Sequence, residues 1–214
     1  MNPTPPDISH EQSRLESVFR TELTAPTLGL RLGVDWGQNS HDGRPRIRRA
    51  IASELGTTSA IQLDQLPNDP TRSISISHTI TMGGFAFVDR PSLIGFDLEL
   101  ETRVSSAIVT RVAQHHELKA APSAGSLWSA KEAAYKATAA HFELSLISQI
   151  RIAQWHRSNS GHSFTAAYQF DETENIHRIQ GLGLVIPLDG FVVSVFIAAG
   201  STKVEAQPIS LHQQ

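Results

Sequence analysis

Apolar residues recur along this chain at two intervals, every third or fourth position in some stretches and every second in others, and the change between them marks out the elements. Leu15, Val18, Phe19 and Leu23 fall at helical spacing within His10 to Leu23, behind a proline-bearing tail. Leu30 to Trp36 alternates in part. The turn-rich stretch that follows offers Asp42 as cap for a helix from about Arg44 to Leu55, with Pro45 in its first turn and Gly56 as its stop. Ser73 to Ser77 alternates Ser with Ile and Gly84 to Asp89 is apolar, which predicts two strands joined at Thr79 to Gly83, before Pro91 breaks the chain. Ile94 to Leu100 is the clearest strand: Ile94, Phe96, Leu98 and Leu100 point one way, Gly95, Asp97, Glu99 and Glu101 the other. Helices are expected at Ser105 to His116 and Ser126 to His141, separated by the loop Ala120 to Gly125. Ile150 to Trp155, Ser163 to Phe170, Leu182 to Ile186 and Phe191 to Ala199 complete the reading as strands.

The order of elements recurs once. Leu32-Gly33-Val34-Asp35-Trp36 precedes a helix and two strands, as Ile94-Gly95-Phe96-Asp97-Leu98 does. Chance and duplication both account for so short a likeness. Duplication would place two α+β halves side by side, with a ligand cleft between them.

A length of 214 residues fits one domain or two small ones, and 40% apolar against 18% charged residues excludes broad disorder. The net charge of -3, from 18 basic and 21 acidic side chains, opposes nonspecific nucleic-acid binding. Without cysteine there is no disulfide framework, thiolate metal site or cysteine nucleophile, in keeping with a reducing compartment. The first residues show no basic region followed by an apolar stretch, and the longest apolar run, Phe191 to Ala199, is far below the roughly 20 residues of a membrane helix. A soluble, cytoplasmic protein with no membrane partner is the expectation.

Candidate chemistry lies on one strand and one helix. Asp97 and Glu99, two apart on a strand, project from one face and could grip one cation, although acids on a solvated face have the same pattern. Glu132 and Lys136 share a helical face with Trp128 one turn earlier, as a surface ion pair beside a core Trp also would. Taken together with Lys131, these residues supply three carboxylates and two ammonium groups. Carboxylates holding a divalent cation beside ammonium groups are what phosphoryl chemistry requires, because charge developing on phosphate oxygens must be neutralised. Oxygen ligands favour Mg²⁺, with Mn²⁺ as substitute. His78 follows Ser77: it is a core residue if the strand continues, and both side chains are free for a ligand if the strand ends. Arg44, Arg46, Arg48 and Arg49 form the densest basic patch, with Arg44 and Arg48 on one face, suited to a phosphate or to solvent.

Two of these blocks, Ile94-Gly95-Phe96-Asp97-Leu98-Glu99 and Trp128-Ser129-Ala130-Lys131-Glu132-Ala133-Ala134-Tyr135-Lys136-Ala137, resemble the signatures of the 4'-phosphopantetheinyl transferases, in the right order. Ser75-Ile76-Ser77-His78-Thr79 resembles that family's Ser-His segment, and Arg44-Pro45-Arg46-Ile47-Arg48-Arg49 its arginine-bearing helix. The length resembles its longer, pseudo-dimeric class. The resemblance implies an α+β fold of two pseudo-symmetric halves, each a small antiparallel sheet packed with a long helix, with the active site between them. The halves would be 1–91, on the nucleotide side, and 92–214, carrying the metal and catalytic helix. It implies transfer of the phosphopantetheine arm of coenzyme A to a serine of an apo acyl, peptidyl or polyketide carrier protein, releasing 3',5'-ADP. In that reaction Asp97, Glu99 and Glu132 would hold Mg²⁺, and Glu132 would also act as general base. Lys136 would serve the leaving phosphate, Lys131 would contact phosphate, and Ser77, His78, Arg44 and Arg48 would bind the nucleotide end. A chain of two halves would work as a monomer.

The chain departs from the family in two places. Asn68-Asp69-Pro70 stands where the family carries Gly-Lys-Pro, and Leu28 to Ser40 holds only Arg31 as a basic residue. These departures give a second reading, a relative that binds coenzyme A or a carrier without turnover, and the likeness of Asp97, Glu99, Glu132 and a lysine to a carboxylate-lysine core gives a third, a metal-dependent nuclease. The net charge of -3 opposes the nuclease.

Overall fold

A computed structural model describes residues 8–40, 42–56, 69–169 and 176–200. The tail before Ile8, Asn68 and Phe170 lie outside the described residues. The first helical pattern forms α1 (Ile8–Glu22), which buries Leu15 and Phe19. Beside it runs β1 (Gly29–Gly33), the edge strand of a three-stranded antiparallel sheet ordered β1, β3 (Gly83–Asp89), β2 (Arg72–His78). An edge strand leaves backbone N–H groups unpaired. Here α1 supplies acceptors: Gln12 Oε1 takes the Leu32 N–H at 3.0 Å and Glu16 Oε2 the Leu30 N–H at 3.0 Å. Between β1 and β2 lies α2 (Gly43–Glu54), with Asp42 at its N-cap and Gly56 just past its end at φ +66°, a left-handed backbone that glycine adopts at little cost.

The second sheet follows the order β4 (Leu93–Leu100), β9 (Phe191–Ala198), β8 (Gly181–Leu188), β6 (His162–Gln169), β5 (Ile150–Arg157), with β7 (Ile176–Arg178) paired to the far end of β6. All its pairings are antiparallel. The long helix α5 (Ala124–Phe142) begins at Ser123, whose hydroxyl accepts the Ser126 N–H at 3.0 Å, and lies across β4 and β9. The fold is thus mixed α+β with two antiparallel sheets.

Alternating faces dictate the layers. Phe85 and Phe87 of β3, with Ile74 and Ile76 of β2, pack under Ile47 and Ile51 of α2. The opposite face of that sheet, through Leu30, Leu32, Ala86 and Val88, meets Ile94, Phe96, Leu98, Val193 and Val195 of the second sheet in one core closed by α1. The outer face of the second sheet, through Phe164, Val192 and Phe196, packs under Leu127, Ala130 and Ala134 of α5. No helix among the described residues is long and apolar enough to cross a membrane.

Three serines join the sheets. Ser73, Ser75 and Ser77 are the buried positions of β2, and their hydroxyls accept the N–H groups of Ile94, Phe96 and Leu98 at 3.1, 2.9 and 3.2 Å. Side chains of one sheet thereby complete the hydrogen bonding of the other sheet's edge strand.

The helix expected at Ser105 to His116 is instead two short ones, α3 (Ser106–Val109) and α4 (His115–Ala120). Thr110-Arg111-Val112 puts two β-branched residues in the break, and Gln114 starts a new helix, its own N–H held by Glu117 Oε2 at 2.9 Å in a capping box. The three-residue β7 is too short to show a period in the sequence.

Candidate functional site

The acidic face of strand β4, which fits either a cation grip or a solvated surface by its alternation alone, lies under α5 at Asp97 rather than open to water. Gly95 permits this: a Cβ there would lie 1.7 Å from the Ala133 carbonyl oxygen and 2.7 Å from the Ala137 nitrogen, so helix and strand backbones touch. Two residues on, Asp97 is only 1% exposed. The spacing of Trp128, Glu132 and Lys136 along α5 sets all three above this acidic face.

The site centres on Asp97. Its Oδ1 accepts Lys136 Nζ at 2.7 Å and the Ser77 hydroxyl at 3.0 Å, whereas Oδ2 is buried with no hydrogen-bond partner. Lys136 Nζ also donates to Ser77 Oγ at 3.2 Å and to the Phe96 carbonyl at 3.3 Å, and stands 3.9 Å from Glu132 Oε2. One ammonium with three protons thus has three acceptors, and a fourth oxygen beyond them. Ser77 is equally occupied, giving its proton to Asp97 and its lone pairs to Leu98 N–H and Lys136. Glu99 is held by the indole N–H of Trp128 at 3.1 Å.

Acidic groups outnumber their counter-ions here. Burial, then the neighbouring Asp97 carboxylate, pushes Glu99 up to about 7, with the Trp128 hydrogen bond and Lys136 opposing and Glu132 adding to the rise. Glu132 is also raised, chiefly by burial and further by Asp97, against the pull of Lys136. Even so, no group of three or more His, Cys, Asp or Glu side chains is gathered as a metal cage among the described residues. The expected cage of Asp97, Glu99 and Glu132 is not preformed. The donor chemistry nevertheless suits a hard divalent cation: the oxygens are carboxylate, one buried oxygen lacks any partner, and the cluster is short of positive charge.

The remaining expected residues divide. Strand β2 runs through His78, on the Ile74 and Ile76 face, where its Nε2 is buried without a partner. Burial lowers its pKa, and the nearby charges of Arg44 and Lys136 lower it further. Arg44 is exposed in the first turn of α2 and lines a groove of about 570 Å³ with Gly37, Gln38, Ser40 and Pro45. Arg48 is exposed one turn later, and Arg46 is paired with Asp35 at 2.8 Å. Ser77 faces Asp97 and β4 rather than an open surface. Lys131 departs most from expectation. It is fully buried, pairs with Glu117 at 2.8 Å and donates to the Ile150 carbonyl, so its ammonium does not reach the surface. The reading of the sequence also passed over Trp128 as a hydrogen-bond donor, although its place one turn before Glu132 was the available signal.

No protein-family model matches the chain, and no curated protein matches it.

Proposed function

We propose that this protein transfers the 4'-phosphopantetheine arm of coenzyme A to a serine of an apo carrier protein, releasing 3',5'-ADP. The observation that carries the reading is the gathering of Asp97, Glu99, Glu132 and Lys136, from two separate stretches of chain, into one half-buried cluster along β4 and α5. The sequence of elements supports the two-half architecture: strand, helix, strand, strand occurs as β1, α2, β2, β3 and again as β4, α5, β5, β6, with the short α3 and α4 inserted before α5 and the hairpin β8–β9 set between β4 and β6 in the second sheet. The cleft of such an enzyme would open where the two sheets meet at the serine seam.

In this reaction the carrier serine oxygen forms a bond to the β-phosphorus of coenzyme A. The bond from that phosphorus to the oxygen bridging to the α-phosphate breaks, and that oxygen leaves with 3',5'-ADP. The serine proton passes to Glu132, directly or through water. Burial has already raised the proton affinity of this carboxyl, as a general base working near neutral pH requires. Asp97, Glu99 and Glu132 would hold Mg²⁺, which would supply positive charge against the diphosphate. Lys136 would face the leaving phosphate, and Arg44, Arg48 and His78 the 3'-phosphate and nucleotide. Ser77 would hold Asp97 in place, and Lys131 would anchor α5.

Intact-mass measurement of an apo carrier incubated with coenzyme A and Mg²⁺ tests this. A gain of one phosphopantetheine is expected, slowed about 10²–10⁴-fold by Glu132→Gln, the usual worth of a general base. Coenzyme A binding without any mass gain on acyl, peptidyl and polyketide carriers would replace the transferase with a non-catalytic binder.

A further inference from the structure

We infer that Lys136 is a resident counter-ion, which holds the buried Asp97 carboxylate in the free protein and yields to a divalent cation. Asp97 is 1% exposed, and the charges of Glu99 and Glu132 act on the same cluster. A buried carboxylate among like charges is costly unless a cation and hydrogen bonds compensate. Lys136 supplies that cation at 2.7 Å, and the Ser77 hydroxyl and Phe96 carbonyl fix its position, at 3.2 and 3.3 Å. The compensation is one-sided. Both donors serve Oδ1, while Oδ2 stays buried and unpartnered, although an ammonium centred between the oxygens would have served both. The unserved oxygen is where an added cation meets the least competition.

The consequence concerns availability. With its three protons committed to Oδ1, Ser77 and the Phe96 carbonyl, Lys136 has none left for a phosphate in this state. A second positive charge on Asp97 weakens the hold of Oδ1 and releases a donor. Lys136 is the more accessible partner, its side chain 27% exposed against 2% for Asp97. The exchange rests on the reading that Asp97 and Glu99 take a divalent cation; the counter-ion role in the free protein does not.

Thermal unfolding of the full chain, with chelator or with Mg²⁺ and without substrate, separates these parts. Lys136→Met in chelator is expected to melt on the order of 5 °C below the unsubstituted protein, and Mg²⁺ to raise the variant by more than it raises the unsubstituted protein. Asp97→Asn with Lys136→Met is expected to recover most of the loss, since the charge needing compensation is gone, and this double variant keeps the test valid should the single one fold poorly. Equal melting of Lys136→Met and the unsubstituted protein in chelator would overturn the counter-ion role, with the transferase reading left to its own mass assay. A destabilised variant that Mg²⁺ does not restore would overturn the exchange, with the role of Mg²⁺ in transfer left to the mass assay run with and without chelator.

Discussion

Helix α5 carries two lysines in ion pairs of nearly equal length, Lys131 with Glu117 at 2.8 Å and Lys136 with Asp97 at 2.7 Å, and their surroundings give them opposite uses. Around the first pair every carboxylate oxygen is engaged: Glu117 Oε1 takes Lys131 and the Ile152 N–H, and Oε2 takes the Gln114 N–H. Both side chains are fully buried, and through them α4, α5 and β5 are pinned together. Around the second pair one oxygen has no partner, the lysine is partly exposed, and two more acids crowd in without counter-ions of their own. A saturated buried pair is architecture. An unsaturated one retains the capacity to take something else.

The sharpest test of that distinction is to remove one partner of the closed pair. Lys131→Met leaves Glu117 buried and uncompensated, and a loss of about 3–5 kcal/mol in unfolding free energy is expected from denaturant titration. Adding Glu117→Gln should return part of it. The loss should be the same with Mg²⁺ or with chelator. If Mg²⁺ rescues Lys131→Met, the closed pair is not closed, and the contrast with Lys136 fails.

Ser77→Ala sharpens the other side of the comparison. It strips Asp97 and Lys136 of a shared partner and leaves the Leu98 N–H unpaired, which together should cost about 1–3 kcal/mol. Ser75→Ala removes the neighbouring rung of the seam without touching the carboxylate, and so sets the cost of a rung alone. An identical loss in the two variants would mean that Ser77 is a seam residue and nothing more.

These two regions also mark how far the sequence could be read. Alternation in Ile94 to Leu100 put Asp97 and Glu99 on one face, and a spacing of four put Glu132 and Lys136 on another, so most of the cluster was legible before any coordinates. Lys131 was grouped with them because it belongs to the same motif. Its position five residues from Lys136 turns it by about 140° around the helix, toward the core, and that angle was the available warning. Between a cation grip and a solvated face the pattern of β4 could not decide, because period-two alternation reports that two faces differ, not which of them water reaches. Gly95, which lets α5 lie on the strand, decided that question. The serine seam could not be foreseen from Ser-Ile alternation, which normally buries Ile. It buries Ser because the unpaired edge of another sheet's strand offers N–H groups in register.

The smallest expected effect follows from Glu99 and belongs to the open site alone. Its folded-state value of about 7 stands above the 4.5 of an ordinary glutamate, so between those limits the folded protein holds a proton that the unfolded chain has released. Stability contributed by this group is therefore complete below pH 4.5, declines as pH rises, and is lost above about 7. Because Glu99 is not fully enclosed, solvent screening trims the effect to a fraction of what full burial would give. Measured in chelator, the melting temperature should fall from pH 5 to pH 8, and Glu99→Gln should flatten the fall. Mg²⁺ should flatten it too, since a cation on the ionised carboxylate lowers the cost of losing the proton. A slope unchanged by Glu99→Gln would assign the pH dependence to other groups, and the shortage of positive charge around Asp97 would then have to be argued from the unpartnered oxygen alone.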